Sequence, residues 1–215
     1  MTKRILLAAA LAGVELVTAA PFQFQDGDRV ALVGNTVVER AQKFGHVEAM
    51  LSLGAGDGTK GVTFRNLGWS GDSVFGDARS YFGKPQEGRD RLKRVIAEVK
   101  PTVLIVCYGT GAAMSGTQGW TDDRAGAERS AAGDRESMTL FLEQYGRLLD
   151  LMAEAAGESL REVVLLAPPP LENLGAPLPE HTANNRRLGE YRDAIRNLAA
   201  GRKLRFVDLF GAMGG

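Results

Sequence analysis

Arg29-Val-Ala-Leu-Val-Gly-Asn-Thr-Val-Val-Glu-Arg40 decides the fold of this chain. Its first part, Arg29–Val33, is short and mostly apolar and reads as a strand. Gly34 ends that run, Asn35 and Thr36 are polar, and a helical pattern starts at Val37. The stretch therefore encodes a strand, a tight turn and a helix N-terminus. A hydroxyl at such a turn lies beside unpaired backbone N–H groups and the positive end of the helix dipole. An α/β hydrolytic site can be built there. The hydroxyl is that of Thr36, where a serine would be the ordinary choice.

Working outward, the same alternation continues. The pattern predicts a helix over Val37–Leu53, a strand over Val62–Asn66 and an amphipathic helix over Gly88–Val99. The apolar stripe of that helix is Leu92, Val95, Ile96 and Val99, and Pro101 stops it after Lys100. Strands are expected at Thr102–Val106, Glu162–Leu166 and Leu204–Leu209, and helices at Met138–Ala156 and Asn185–Ala200. Strands that alternate with helices imply parallel βαβ units, and nearly continuous apolar strands imply a sheet covered on both faces. The expectation is a doubly wound α/β three-layer sandwich with a five-stranded parallel sheet in flavodoxin-like order. Such sheets place their sites at the carboxyl ends of the strands. Two stretches break the rhythm and read as loops: Gly109–Gly133, rich in glycine and alanine, and Ala167–Ala183, which carries five prolines.

Composition bounds the function classes. The 215 residues, 44% hydrophobic, fit one domain after a leader. Lysine plus arginine equals aspartate plus glutamate, 26 each, which argues against a nucleic-acid partner and against attraction to anionic membranes. One cysteine, Cys107, permits no internal disulfide and reads as a core residue; with two histidines it makes a zinc site improbable. No cofactor motif follows the first strand. Residues 1–20 have a basic start, an apolar run and a small-residue exit, the pattern of a signal peptide, so an exported protein with a single domain over 21–215 is expected. No stretch is long and apolar enough for a membrane span. Oligomeric state does not follow from the residues.

Three strand ends fall on one rim: Gly34-Asn35-Thr36, Asn66-Leu67-Gly68 and Tyr108-Gly109-Thr110-Gly111. This layout resembles the SGNH (GDSL-type) hydrolases. The resemblance runs from about Gly27 to Phe210 and is carried best by Gly34–Arg40, by Phe64-Arg-Asn-Leu-Gly-Trp-Ser-Gly-Asp-Ser73, by Pro101–Gly109 and by Phe206-Val-Asp-Leu-Phe210. It is similar to a secreted bacterial branch of the family. It implies an ester hydrolase acting on small-molecule or glycan acyl esters, with no cofactor.

The same resemblance places Thr36 on the nucleophile and Asn35 on the usual aspartate. Gly68 falls on the glycine whose N–H faces the oxyanion. Gly111 falls where the family has an oxyanion asparagine. The family's late Asp-x-x-His base has no match, since Asp208-Leu-Phe-Gly211 ends in glycine. Of the two histidines, His181 in the proline-rich loop is the candidate base, and His46 reads as a packed or exposed helix residue. Asn35, Asn66, Trp69 and Tyr108 are candidate substrate-binding residues, with Trp69 and Tyr108 also readable as core or cleft walls. Asn185 reads as a helix cap, and Asp122, Asp123 and Arg124 as a solvated charge cluster. Gly71-Asp72-Ser73 matches the family motif in letters only: it lies past the second strand, where Ser73 caps a turn. Three readings stay open: an ester hydrolase with a degenerate site, an inactive module of the same fold binding a glycan or protein, and a front part of a longer chain.

Overall fold

The computed structural model describes residues 22–56, 58–115 and 133–215. Five strands, β1 (Arg29–Gly34), β2 (Thr63–Gly68), β3 (Val103–Cys107), β4 (Glu162–Leu166) and β5 (Arg205–Val207), form one parallel sheet in the order β2-β1-β3-β4-β5. This is the expected flavodoxin-like arrangement. The register levels the three strand ends: Gly34 lies opposite Gly68 on one side and Cys107 on the other. The polar residues that follow each strand therefore emerge along one rim.

Side chains alternate across the sheet. Ala31, Val33, Leu104, Val106 and Leu165 face one side. They are covered by α3 (Pro85–Val99), α5 (Gly133–Ala156) and α6 (Thr182–Gly201), which bury Leu92, Ile96, Tyr145, Leu148, Leu188 and Ile195 among others. Val30, Leu32, Val103, Ile105, Cys107 and Val164 face the other side, beneath Val38 of α1 (Thr36–Ala41), Leu51 of α2 (His46–Gly54) and Phe22 and Phe24 before β1. Each fully buried aliphatic or aromatic side chain contributes about 1.5–3 kcal/mol, so the double covering supplies the main drive to fold.

Several expected boundaries shift for local reasons. The helix expected over Val37–Leu53 is two helices, because Gly45 turns the chain at φ 67°, a left-handed conformation that glycine adopts freely. The loop expected from Gly109 begins instead with a short helix, α4 (Thr110–Ser115), in which Ala112, Ala113 and Met114 favour helix. The expected last strand is shorter, since Asp208 leaves the sheet to cap α7 (Leu209–Ala212). Val95, expected in the apolar stripe of α3, stays exposed, whereas Leu92 and Ile96 are buried. In α5 the expected apolar set, Phe141, Tyr145, Leu148, Leu149 and Met152, is buried throughout. Asp122, Asp123 and Arg124 lie outside the described residues.

Candidate active site

The first two rim stations are locked together by glycines. A Cβ on Gly68 would stand 2.2 Å from Glu39 N, and one on Gly34 would stand 2.4 Å from Cys107 O. Only glycine permits this approach, in which the start of α1 rests directly on the end of β2. Asn66 fastens the contact: its Nδ2 donates to Val38 O at 2.6 Å and its Oδ1 accepts from Gly68 N at 2.8 Å. Asn66 is thus a brace between β2 and α1, and the Gly68 N–H expected to face an oxyanion is engaged by that brace.

Asn35 is buried and caps α1, with Oδ1 accepting from Val37 N at 3.1 Å. That bond holds the turn at the head of α1. Thr36 follows as the first residue of α1, is exposed, and presents its hydroxyl on the rim. Its Oγ1 accepts from Gly71 N at 3.2 Å. The loop after β2 is thereby tied to the turn after β1. Trp69 N also donates to Gly34 O at 3.0 Å. Beside this contact Ser70 Oγ donates to Glu39 Oε2.

Behind the rim lies a buried polar cluster. Asp72 Oδ2 accepts from Arg79 Nε and from Tyr108 Oη, each at 2.6 Å, and Arg79 also donates to Leu67 O at 2.6 Å. Asp72, Arg79 and Tyr108 are all nearly inaccessible to solvent. Burial pushes the Asp72 carboxyl above its usual range, against the pull of Arg79 and of the Tyr108 hydroxyl. Burial likewise raises Tyr108 well above its ordinary value, and the Asp72 charge adds to that. Tyr108, a candidate for substrate contact, is buried behind the rim with its hydroxyl bonded to Asp72. It links the end of β3 to the loop after β2. Ser73, expected as a cap, accepts from Phe75 N at 3.1 Å and donates to Asp77, holding the same loop.

The third station is open. Gly111 is exposed in α4, and a Cβ there would meet nothing within 4 Å, so the lack of an asparagine leaves space and no side-chain donor. His181 precedes α6, with its N–H on Asn173 Oδ1 at 2.5 Å and its Nδ1 3.1 Å from Asn184 Nδ2. Its bonds are within its own loop and helix and do not reach Thr36. Asn185 is not the cap. Its amide clamps Leu171 through N and O, at 2.8 Å each, pinning the proline-rich loop to α6. Asp208 caps Gly211 N at 2.9 Å and is paired with Arg192 and Arg196. The Gly211 N–H, aided by those arginines, holds its carboxyl below the usual range. His46 opens α2 on the surface, stacked on Phe44. Among the described residues no cluster of histidine, cysteine, aspartate or glutamate could hold a metal ion. No helix among them is long and apolar enough to cross a membrane.

Sequence reasoning gave no bonding role to Asp72, Arg79 or Gly71. Asp72 had a signal, an acid in an otherwise small and apolar stretch. Arg79 had none, because its partner is set by a turn of the chain.

Comparison with known proteins agrees with this fold. No curated protein matches the sequence. Among solved structures, a catalytic mutant of Axe2, an acetylxylan esterase from Geobacillus stearothermophilus, superposes with a TM-score of 0.56 at 16% identity, over 89% of this chain and 80% of that one. LAE5, an alpha/beta hydrolase enzyme from the metagenome of Lake Arreo, gives 0.53 at 17% identity, over 88% and 80%. BT4096, a gut microbial diltiazem-metabolizing enzyme, gives 0.55 at 18% identity, and there the chain covers 91% of itself but only 39% of the larger protein. These likenesses establish the fold. The sequence model of the GDSL-like lipase/acylhydrolase family matches residues 24–215, and the chain belongs to that family.

Proposed function

We propose that this protein hydrolyses acyl esters, those of carbohydrates first, at the rim formed by the ends of β1, β2 and β3. The carrying observation is the Thr36 hydroxyl, exposed on the first turn of α1 and oriented by the Gly71 N–H. Membership of the acylhydrolase family and the likeness to an acetylxylan esterase support the class of reaction. Thr36 Oγ attacks the acyl carbonyl, its proton passes to a base, and the alcohol leaves with that proton. Water then releases the acid from the acyl-threonine. The Thr36 N–H, at the head of α1, stabilises the oxyanion. The Gly68 N–H joins it by giving up or sharing its bond to Asn66. His181 is the base of this reading, once its loop releases Nδ1 from Asn184. Export through residues 1–20 belongs to the same reading, and N-terminal sequencing of protein recovered outside the cytoplasm tests it.

The experiment is acetate release from acetylated xylo-oligosaccharide by the purified protein, by Thr36→Ala and by His181→Ala. Loss of turnover in Thr36→Ala supports the assignment, and equal rates overturn it.

A second reading is a binding module of the same fold. Two observations favour it: Gly111 offers no side-chain donor, and His181 bonds to Asn184 and Asn173. Thr36-dependent turnover excludes it.

A further inference from the structure

We propose that the groove between the end of β2 and α3 is a glycan subsite that selects a carboxylate-bearing sugar, such as a uronate. The inference rests on the carbohydrate-ester reading above and names the glycan that site would take. Two cavities, of about 340 and 250 Å³, adjoin there and share a wall made of Trp69 and Tyr81. Trp69 follows Gly68 directly and belongs to the loop that holds Thr36, so the groove runs outward from the rim.

The two halves differ in chemistry. The larger half is lined by Tyr81 and Phe82, which stand in consecutive left-handed conformations at φ 52° and 73°. Side chains rarely accept that backbone, and such strain clusters at ligand sites. Its effect here is to hold the Phe82 ring fully in solvent, 101% exposed. An exposed ring offers its negative face to the weakly positive C–H face of a pyranose.

The smaller half is cationic. Arg91 and Arg94 line it with the exposed Val95 between them and the helix end. Neither arginine forms an ion pair among the described residues. The Arg91 guanidinium lies over the Tyr81 ring at 4.5 Å, and its Nε is shielded from solvent without a hydrogen-bond partner. Arg79 in the same wall is spent on Asp72. Glu98 is the single carboxylate lining this half, against two uncommitted guanidiniums. A planar guanidinium fork matches a carboxylate. A sugar pair with one ring over Phe82 and a carboxylate against Arg91 and Arg94 satisfies both halves.

The test is calorimetric titration of the purified protein with xylotetraose and with the same chain bearing a glucuronate unit. The acidic ligand is expected to bind about tenfold tighter. Arg91→Gln/Arg94→Gln removes that advantage, and Phe82→Ser weakens both ligands without moving the melting temperature. Equal affinity for the two ligands, no binding of either, or a preference that survives in Arg91→Gln/Arg94→Gln overturns the proposal. Acetate release from the acetylated forms separates it from the hydrolase reading. Acidic preference without acetate release removes the hydrolase and leaves the groove. Release without acidic preference removes the groove and leaves the hydrolase.

Discussion

Tyr108 Oη donates to Asp72 Oδ2 at 2.6 Å, across 36 positions of sequence, and this bond ties the third rim station to the second. Both groups are buried, and Asp72 Oδ1 has no hydrogen-bond partner, so Oδ2 carries all of that carboxyl's bonding. Tyr108→Phe removes a bond to a charged acceptor, a loss of about 1–3 kcal/mol. A lower melting temperature, by several degrees, is expected in calorimetry. Asp72→Ala is worse, about 3–5 kcal/mol, because Arg79 is then left buried and unpaired. A Tyr108→Phe protein as stable as the wild type contradicts this account.

On the proposed reading, with Thr36 as nucleophile, Thr36→Ser keeps the hydroxyl and drops a methyl group that would crowd the attacked carbonyl. Its acetyl-ester turnover is expected to exceed the wild type by about tenfold, some 1.4 kcal/mol of barrier. Steady-state kinetics on an acetyl ester measure this. A slower Thr36→Ser enzyme shows that the methyl group positions the attack.

Gly68→Ala sets a methyl group 2.2 Å from Glu39 N. The neighbour is backbone, so α1 must move off β2, breaking the bond from Asn66 to Val38 O. Destabilisation of about 1–3 kcal/mol or more is expected in urea unfolding. Gly111→Ala, where nothing lies within 4 Å, serves as the control and is expected to be near neutral.

Asp28 sets a pH dependence far from the site. Burial pushes its carboxyl up, but bonds from Arg161, Thr102 and Gln25 N–H outweigh it, and the net value lies below the usual range. The folded chain then binds fewer protons at Asp28 than the unfolded chain does. That contribution is complete above the unfolded value of about 3.9 and is lost as pH falls through the folded value. Asp28→Asn is expected to cost about 1–3 kcal/mol at pH 7. The gap between wild type and variant should close below about pH 4, as read by melts across pH.

Cys107 is expected to be inert in the native protein. Burial pushes its thiol up to about 12, so almost no thiolate exists at neutral pH. A disulfide reagent should label it only after denaturant is added, and fast labelling of native protein refutes the burial of β3.

The division between sequence and structure follows from the range of the forces. Apolar periodicity is a local property, so the strand at Glu162–Leu166, the buried set of α5 and the parallel sheet order could be read from the chain itself. Gly34-Asn35-Thr36 could be read in the same way, since a strand end, a cap and a helix start are consecutive in sequence. Gly45 escaped that reading because one left-handed residue breaks a helix without disturbing its apolar pattern. The roles of Gly68, Asn66, Asp72 and Arg79 needed tertiary structure. Gly68 is required by the backbone of α1, Asn66 bonds to Val38, and Asp72 meets Tyr108 only because β1 brings β2 and β3 to the same rim. Short-range propensity thus determined where a site could stand, and long-range packing decided which polar atoms are free to act there.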